Sequence, residues 1–441
     1  MTGDCPLIKL PVLIKSNMKI IRSTDRKELQ AYFKRLVSTD SRTAADVKKI
    51  LAAVASDGDK ALVSLTARFD GFKTSPKGLR VTASEFKQAK NKVDPAIISA
   101  LLTAKRNISA FCRKQKTAGF SISTGKGASA GMMMVPIETA GIYVPGGKAV
   151  YPSTVLMNAI PAITAGVKNI VMCTPAGKDG KVNPVILAAA SLCGIKAVYK
   201  LGGAQAIAAM AYGTKTVRRA DKIVGPGNLY VATAKQMIFG QAGIDSIAGP
   251  SEVLLIADCS ANPEYAAADL LAQAEHDEDA TCIMLTDSSR LAAETLEALN
   301  RQKTCLPKSA LIEVALKRGC IVITRNLKEA AALSNIFAPE HLQLMTRENG
   351  SLLKLVRNAG AVFIGNYSPV ALGDYIAGTN HVLPTSGSAR FSSGLSVSDF
   401  IKKIGYVKYS KQALKKVGLK IRRLAESEGL RAHAISVKRR D

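Results

Sequence analysis

Each of the four histidines in this sequence lies near another potential metal ligand or acid; they are His276, His341, His381 and His433. Gln273 precedes the first by three residues, in a stretch whose apolar spacing predicts a helix that begins at Asn262, with Pro263 at its first position. Residues three apart share a helix face, so an amide oxygen and an imidazole nitrogen are placed to bind a divalent metal. Taken alone, such a pair is more often a solvated helix end.

A carboxylate and an imidazole are adjacent at Glu340 and His341, between a predicted helix and a predicted strand. Pro339 favours an extended conformation at Ala338. An imidazole with a pKa of about 6.5 can take and return protons at neutral pH, and a neighbouring carboxylate can tune it or activate water. A surface pair without a role is at least as common, so the motif alone leaves both interpretations open.

Two further segments place acids near the remaining histidines. Asp374 and His381 lie in a glycine-flanked stretch that follows a predicted strand at 361–364, and Glu428 precedes His433 by five residues. The histidines therefore occur in motif-like segments, which we expect to be loops rather than cores.

Glycine-rich loops follow three predicted strands, at residues 141–147, 202–206 and 224–228. Glycine lets backbone N–H groups approach a phosphate or ribose closely, and a helix N-terminus adds a favourable dipole. None has the G-x-G-x-x-G spacing with an acid about 20 residues later, and each alone is more often a tight turn. Together they favour a nucleotide-binding lobe.

The elements that position these residues alternate along the chain. Residues 46–55 and 84–116 have helical apolar spacing, and residues 40–120 are predicted to be mainly helical. Short apolar runs then alternate with Ala-rich helical stretches, and the runs lie at 141–144, 169–174, 197–201, 222–224, 253–258, 282–286, 320–324, 341–345 and 361–364. This alternation predicts an α/β fold with parallel sheets, with ligands at the carboxyl ends of the strands.

Composition narrows the class of protein. The 441 residues are 47% hydrophobic, which excludes an intrinsically disordered chain despite a net charge of +27. The eight cysteines are scattered without a C-x-x-C pair, so we expect no disulfide scaffold and a reducing, cytoplasmic location. The apolar stretch at 6–14 is interrupted by Lys9, so neither a signal peptide nor a membrane span is predicted.

Charge is unevenly distributed. Residues 402–441 carry 13 Lys and Arg against three acids, whereas residues 236–289 carry ten acids and neither Lys nor Arg. The acidic stretch fits a solvated surface or, as the alternative, a metal or cationic-ligand site. The basic tail fits a solvated face or a cover for acidic surface, and it lacks the interleaved aromatic residues of a nucleic-acid platform.

The motifs in combination resemble the histidinol dehydrogenase family. They are residues 141–148 (GIYVPGGK), 151–161 (YPSTVLMNAIP), 202–208 (GGAQAIA), 225–228 (GPGN), 248–253 (AGPSEV), 273–277 (QAEHD), 338–342 (APEHL) and 380–385 (NHVLPT). The resemblance runs in order from about residue 40 to the C-terminus. This sequence departs from the family at Thr139, where Arg is familiar, in its basic tail and in about 15 extra N-terminal residues.

The resemblance implies a fold, an activity and an assembly. The implied fold has two incomplete Rossmann-like domains with parallel sheets and small helical terminal segments. Its parts are an arm at 1–39, a catalytic domain at 40–142 and 252–395, an NAD-binding domain at 143–251, and a tail at 396–441 exchanged within a homodimer. The implied reaction oxidises L-histidinol to L-histidine with zinc and two NAD, through an aldehyde, as the last step of histidine biosynthesis. Neither nucleic acid nor membrane is an expected partner.

The resemblance also assigns roles residue by residue. The family's zinc ligands match Gln273, His276, Asp374 and His433, and its catalytic pair matches Glu340 and His341. Its substrate contacts match Ser251, His381 and Glu428 together with those six residues. Its NAD contacts match Tyr143, Gln205 and Asn228, one in each glycine loop.

Two alternatives remain at this stage. A related zinc- and NAD-dependent dehydrogenase acting on another polyol, such as a sulfonated diol, would share the fold; Glu428, suited to a substrate ammonium, and the NHVLP segment at 380–384 argue for histidinol. A binder of nucleic acid or of an anionic surface would explain the net charge but none of the motifs.

Overall fold

The computed structural model describes residues 18–34, 41–146, 150–247 and 249–440. Most of the arm, the apolar stretch at 6–14, residues 147–148 of the first glycine motif and Ala248 lie outside the described residues. Two parallel sheets and one antiparallel sheet organise the described chain, which confirms the predicted α/β class.

The first sheet has six parallel strands. In spatial order they are β1 (Lys19–Arg22), β11 (Cys320–Ile323), β10 (Thr281–Thr286), β9 (Glu252–Ala257), β12 (His341–Met345) and β13 (Ala361–Ile364). Along β9 the side chains of Val253 and Leu255 pack into one core, whereas Leu254 and Ile256 pack into another on the opposite face. A strand buried on both faces reads as a continuous apolar run, which is why the sequence revealed it.

Helices cover both faces of this sheet. They are α1 (Arg26–Lys34), α10 (Pro263–Ala274), α11 (Ser289–Gln302), α12 (Ser309–Leu316), α13 (Leu327–Phe337), α14 (Asn349–Leu353) and α15 (Val370–Tyr375). The predicted start of α10 is confirmed, because the Asn262 side chain accepts the N–H of Glu264 and Pro263 occupies the first turn.

The second sheet has five parallel strands. In spatial order they are β6 (Ala197–Lys200), β5 (Asn169–Thr174), β4 (Thr139–Tyr143), β7 (Lys222–Val224) and β8 (Gly243–Ile244). Its connecting helices are α6 (Pro152–Ala165), α7 (Pro184–Leu192), α8 (Gly203–Tyr212) and α9 (Leu229–Ile238). When the strands are numbered by their order along the chain, their spatial order is 3-2-1-4-5. The direction of winding therefore reverses between β4 and β7.

The predicted domain boundary at residue 142 falls within β4. The helical segment before β4 also packs on the five-stranded sheet rather than on the six-stranded one. It contains α2 (Ser41–Asp57), α3 (Asp59–Phe69), α4 (Ala83–Lys92) and α5 (Pro95–Gln115), of which α2 contacts α8 and α9, α4 contacts α7, and α5 contacts α6. Apolar residues of α2 and α5 share cores with that sheet, which fixes the segment there.

A small antiparallel sheet was not predicted. Its strands are β2 (Phe120–Gly125), β3 (Ala128–Pro136) and β14 (Ile401–Tyr409), with β3 in the middle. The tail at 396–441 therefore contains a strand paired to its own chain and continues as α16 (Lys411–Ser427) and α17 (Arg431–Lys438). Within the described ranges, no helix has the length and apolar character to cross a membrane.

Candidate active site

The site lies at the amino edge of the six-stranded sheet. Glu252 opens β9, His341 opens the adjacent strand β12, and Gln273 lies in the last turn of α10, ahead of β10. In this sheet the candidate residues therefore lie at the amino ends of the strands and not at the carboxyl ends, where we expected ligands. In the five-stranded sheet the glycine loops follow β4, β6 and β7, so they lie at the carboxyl ends of those strands.

His341 is buried and oriented by a backbone carbonyl. Its Nδ1 lies 2.9 Å from the carbonyl oxygen of Glu252, which can only accept, so Nδ1 carries the proton and donates it. Burial lowers the pKa of His341 to about 4, so the ring is neutral at pH 7. Its Nε2 is buried without a hydrogen-bond partner among the described residues and lies 3.9 Å from Asp374 Oδ1. A neutral imidazole with a free lone pair is a proton acceptor.

Glu340 and Glu252 hold each other through reciprocal hydrogen bonds. The Glu252 N–H donates to Glu340 Oε2 at 2.9 Å, and the Glu340 N–H donates to Glu252 Oε2 at 3.3 Å. Burial raises the pKa of Glu340 well above its ordinary value, and it raises the pKa of Glu252 to about 7. Glu340 Oε2 also lies 3.5 Å from His341 Nδ1, so the two predicted catalytic side chains are in contact.

Sequence reasoning missed Glu252 as a member of the site. Its side chain is 0% exposed, and its Oε1 accepts the N–H of Ser386 at 3.0 Å. It therefore joins β9, the Glu340 turn and the 385–388 turn. The sequence does contain a signal, because Glu252 is an acid at the start of a fully buried apolar strand. Burial of a carboxylate is costly unless it is paired or hydrogen-bonded, so such a residue indicates a specific set of contacts.

His381 and Asp374 form the opposite side of the site. His381 Nδ1 lies 3.0 Å from the Asp374 carbonyl oxygen, and its Nε2 lies 3.3 Å from the Oγ of Thr154 on α6. Burial lowers the pKa of His381 to about 4, so the ring is neutral, donates through Nδ1 and accepts from Thr154. Burial raises the pKa of Asp374 to about 6, and its Oδ1 lies 3.9 Å from a nitrogen of each of the two imidazoles. Thr154 was not identified from the sequence as a contact of the site.

Gln273, His276 and Asp374 offer an amide, an imidazole and a carboxylate, which fits zinc. Gln273 is 4% exposed and its Nε2 has no hydrogen-bond partner among the described residues. The helix ends at Ala274, so His276 follows it in a turn and does not share a helix face with Gln273. His276 is exposed, but the protein atoms around it displace enough water to lower its pKa. Within the described part of the chain, His, Cys, Asp and Glu side chains form no group of three suited to a metal.

The other predicted site residues divide into two sets. Ser251 directly precedes β9, so it lies at the same edge as the predicted catalytic pair. His433 on α17 and Glu428 at the end of α16 are exposed on the tail. No hydrogen bond or ion pair within the described residues joins either of them to Gln273, His276 or Asp374.

The three predicted NAD contacts lie at the carboxyl edge of the five-stranded sheet. Tyr143 ends β4, and its hydroxyl accepts the N–H of Gly203 at 3.0 Å. Gln205 lies in the first turn of α8 with its Nε2 buried and lacking a well-formed hydrogen bond. Asn228 caps α9 by accepting the N–H of Val231 at 3.2 Å. The structure thus places all three at the strand ends where nucleotides bind in such sheets.

Comparison with known proteins identifies the family. The family model described as histidinol dehydrogenase matches residues 33–441. Histidinol dehydrogenase of Clostridium acetobutylicum is 47% identical over 414 residues, 93% of this chain and 96% of that protein. That of Syntrophotalea carbinolica is 50% identical over 392 residues, 89% of this chain and 91% of that protein.

A solved structure agrees with these sequences. The crystal structure of histidinol dehydrogenase from Elizabethkingia anophelis superimposes with a TM-score of 0.92 at 41% identity, covering 96% of this chain and 98% of that one. Likeness of sequence and of fold thus extends over almost all of both chains. The chain therefore belongs to the histidinol dehydrogenase family of oxidoreductases.

Proposed function

We propose that this protein is a cytoplasmic, zinc-dependent enzyme that oxidises L-histidinol to L-histidine through L-histidinal, with two NAD, as the last step of histidine biosynthesis. The observation that carries the proposal is the buried, neutral His341, whose free Nε2 faces Asp374 beside Glu340. Such an arrangement is suited to removing a proton from a substrate alcohol held between these groups.

The first oxidation needs a base at the carbinol. His341 Nε2 accepts the hydroxyl proton, while the Glu252 carbonyl holds Nδ1–H and so fixes the tautomer. When bound, NAD would supply the two-electron acceptor, and zinc would be held by Gln273, His276, Asp374 and His433 and would supply a cation that attracts electron-donating groups of the substrate. His381, already neutral and held by Thr154 and the Asp374 carbonyl, lines the same space.

The second oxidation differs because water must add to the aldehyde. Glu340 is the candidate base for that water: its carboxyl is held by the Glu252 N–H and lies in a buried setting that raises its pKa. A carboxylate with a raised pKa is a stronger base than an exposed one. His341 again takes the hydroxyl proton of the hydrated aldehyde, and a buried site protects the aldehyde between the steps.

Glu428 and His433 are proposed to come from the partner subunit of a homodimer. Both are exposed in the single chain, on a tail that carries a net charge of +10. The zinc-bearing region at 236–289 carries ten acids and no Lys or Arg. Opposite fields of this size favour docking of one chain's tail onto the other chain's metal-binding region.

Product identification tests this function. The zinc-loaded protein is incubated with NAD and L-histidinol, and L-histidine is sought by mass spectrometry. A polyol without an imidazole serves as the control substrate, and His341→Asn is the matched inactive variant. We expect L-histidinol to be converted to L-histidine and the polyol to remain unreacted. Oxidation of the polyol without any formation of L-histidine would contradict the proposal.

A further inference from the structure

A cavity of about 480 Å³ opens at the carboxyl ends of β4 and β5. Its lining includes Pro145 and Gly146 after β4, Thr174 and Pro175 after β5, and Lys181. Asp70, which follows α3 and is distant in sequence from this sheet, completes the lining. The volume lies in the range of small-molecule and cofactor sites.

The strand order 3-2-1-4-5 tells which part of a dinucleotide this cavity would receive. In sheets wound this way the pyrophosphate lies at the turn after the first strand, and an acid near the end of the second strand binds the hydroxyls of the adenosine ribose. Here the first strand is β4 and the second is β5. A dinucleotide bound in this manner would place its adenosine ribose in the cavity.

The expected acid is missing from β5 itself. This strand is followed by Pro175, Ala176 and Gly177, and the only acid between residues 141 and 200 is Asp179. Asp179 is exposed, is not part of the cavity lining, and has its Oδ1 occupied by the N–H of Lys181 at 3.1 Å. A ribose-binding acid must therefore come from elsewhere in the chain.

Asp70 is held in that position by close packing against the start of α8. A Cβ placed on Gly202 would lie 2.9 Å from Asp70 Oδ1, and one placed on Gly71 would lie 3.5 Å from Lys178, so the turn after α3 lies across the β5–α7 loop. Asp70 Oδ2 is shielded from water and has no hydrogen-bond partner among the described residues. The amide of Gln205, also lacking a well-formed hydrogen bond at Nε2, lies beside it.

Burial raises the pKa of Asp70 to about 6, although the Gly202 N–H and the Gln205 amide offset part of the rise. A carboxylate kept in such a place without a full set of donors is costly to the folded chain. Because Asp70 lines the cavity, ribose hydroxyls bound there would donate further hydrogen bonds to its carboxylate.

Resting on the proposed use of NAD, we propose that Asp70 binds the adenosine ribose hydroxyls of NAD and thereby excludes NADP, taking the part usually played by an acid at the end of the second strand. The 2′-phosphate of NADP would lie against the Asp70 carboxylate, and the two negative charges would repel each other. Lys181 lines the same cavity and would attract the phosphate if Asp70 were absent.

Equilibrium binding tests the proposal without turnover. Dissociation constants for NAD and NADP are measured by calorimetry on the full-length, zinc-loaded protein, its Asp70→Asn variant and the control Asp179→Asn. Asn preserves the packing against Gly202, and a hydrogen bond to a charged group is strong enough that its loss should weaken NAD binding about tenfold or more. The NADP-to-NAD ratio of dissociation constants should fall by at least as much. Asp179→Asn should change neither.

A ligand analogue keeps the test decisive if Asp70→Asn folds poorly. NAD lacking the adenosine 2′-hydroxyl should bind the unmodified protein about tenfold more weakly than NAD. Equal binding of NAD and this analogue, or equal changes for NAD and NADP in a folded Asp70→Asn protein, would overturn the role of Asp70. Failure of the unmodified protein to bind NAD at all would instead contradict the proposed function.

Discussion

Replacing Lys235 by Met tests how the glycine loop after β7 is held. Lys235 is 1% exposed and forms an ion pair with the buried Asp245. Its Nζ also donates to the Gly225 carbonyl at 3.0 Å, while Asp245 Oδ2 accepts the Gly225 N–H at 2.8 Å. The pair thus fixes both backbone groups of one glycine in the proposed NAD-binding edge.

The size of the effect follows from burial. Lys235→Met leaves the Asp245 carboxylate buried without its counter-charge, which costs about 3–5 kcal/mol of unfolding free energy. The double variant Lys235→Met/Asp245→Asn has no uncompensated buried charge and keeps an acceptor for the Gly225 N–H. It should therefore be less destabilised than Lys235→Met alone. Arg290→Met, which breaks the exposed pair with Glu294, should cost about 0.5 kcal/mol or less.

Denaturant unfolding followed by circular dichroism, at one protein concentration for all variants, measures these differences. NAD binding to Lys235→Met should weaken as well, because the Gly225 carbonyl loses its donor. A loss below about 1 kcal/mol for Lys235→Met, or a double variant less stable than the single one, would refute the argument from the uncompensated charge.

Three further predictions concern the residues proposed to act in catalysis and to bind zinc. Glu340→Gln should slow oxidation of supplied L-histidinal by about 10²–10⁴-fold and spare that of the alcohol, whereas His341→Asn should slow both; equal losses in Glu340→Gln would contradict its water-activating role. His276→Ala and His433→Ala should each lose zinc by metal analysis, and full occupancy with normal turnover in either would rule out that ligand. Mixing inactive His341→Asn and His433→Ala under subunit exchange should restore activity, since one site of the heterodimer then carries no lesion. A mixture of His341→Asn and His276→Ala should remain inactive. If His341→Asn and His433→Ala form heterodimers that have no activity, each chain builds its own site.

Continuous apolar runs made the central strands predictable. All nine predicted strands are present, because strands buried on both faces, such as β9 and β10, carry almost only apolar residues. The six residues of β2 are all exposed, so no buried face marks that strand in the sequence. The pairing of β3 with β14 joins Pro136 to Ile401 and Ala128 to Tyr409, residues so far apart along the chain that no local pattern announces their contact.

The backbone conformation of Ala338 differs from the one predicted from the local sequence. The steric effect of Pro339 predicts an extended Ala338, but Ala338 is left-handed with φ 55°. Its N–H donates to the Ser334 carbonyl at 2.7 Å and closes α13, and the turn then directs Glu340 into the site. Closing the helix and placing Glu340 outweigh the preference of a residue before proline.

The candidate site was predictable in its residues but not in its arrangement. Motifs supplied Glu340 and His341, whereas the groups that orient the site's side chains, Glu252 and Thr154, are 88 residues or more from the side chains they contact. Spacing along the chain carries no information about such contacts. The roles of the zinc, substrate and NAD residues stay predictions.

The ratio of NADH formed to L-histidinol consumed tests the four-electron oxidation most directly. It is measured by absorbance with limiting L-histidinol and excess NAD, and the product is quantified in the same sample. The proposed roles of His341 and Glu340 predict two NADH and one L-histidine for each L-histidinol. One NADH per L-histidinol with accumulating L-histidinal would contradict the account.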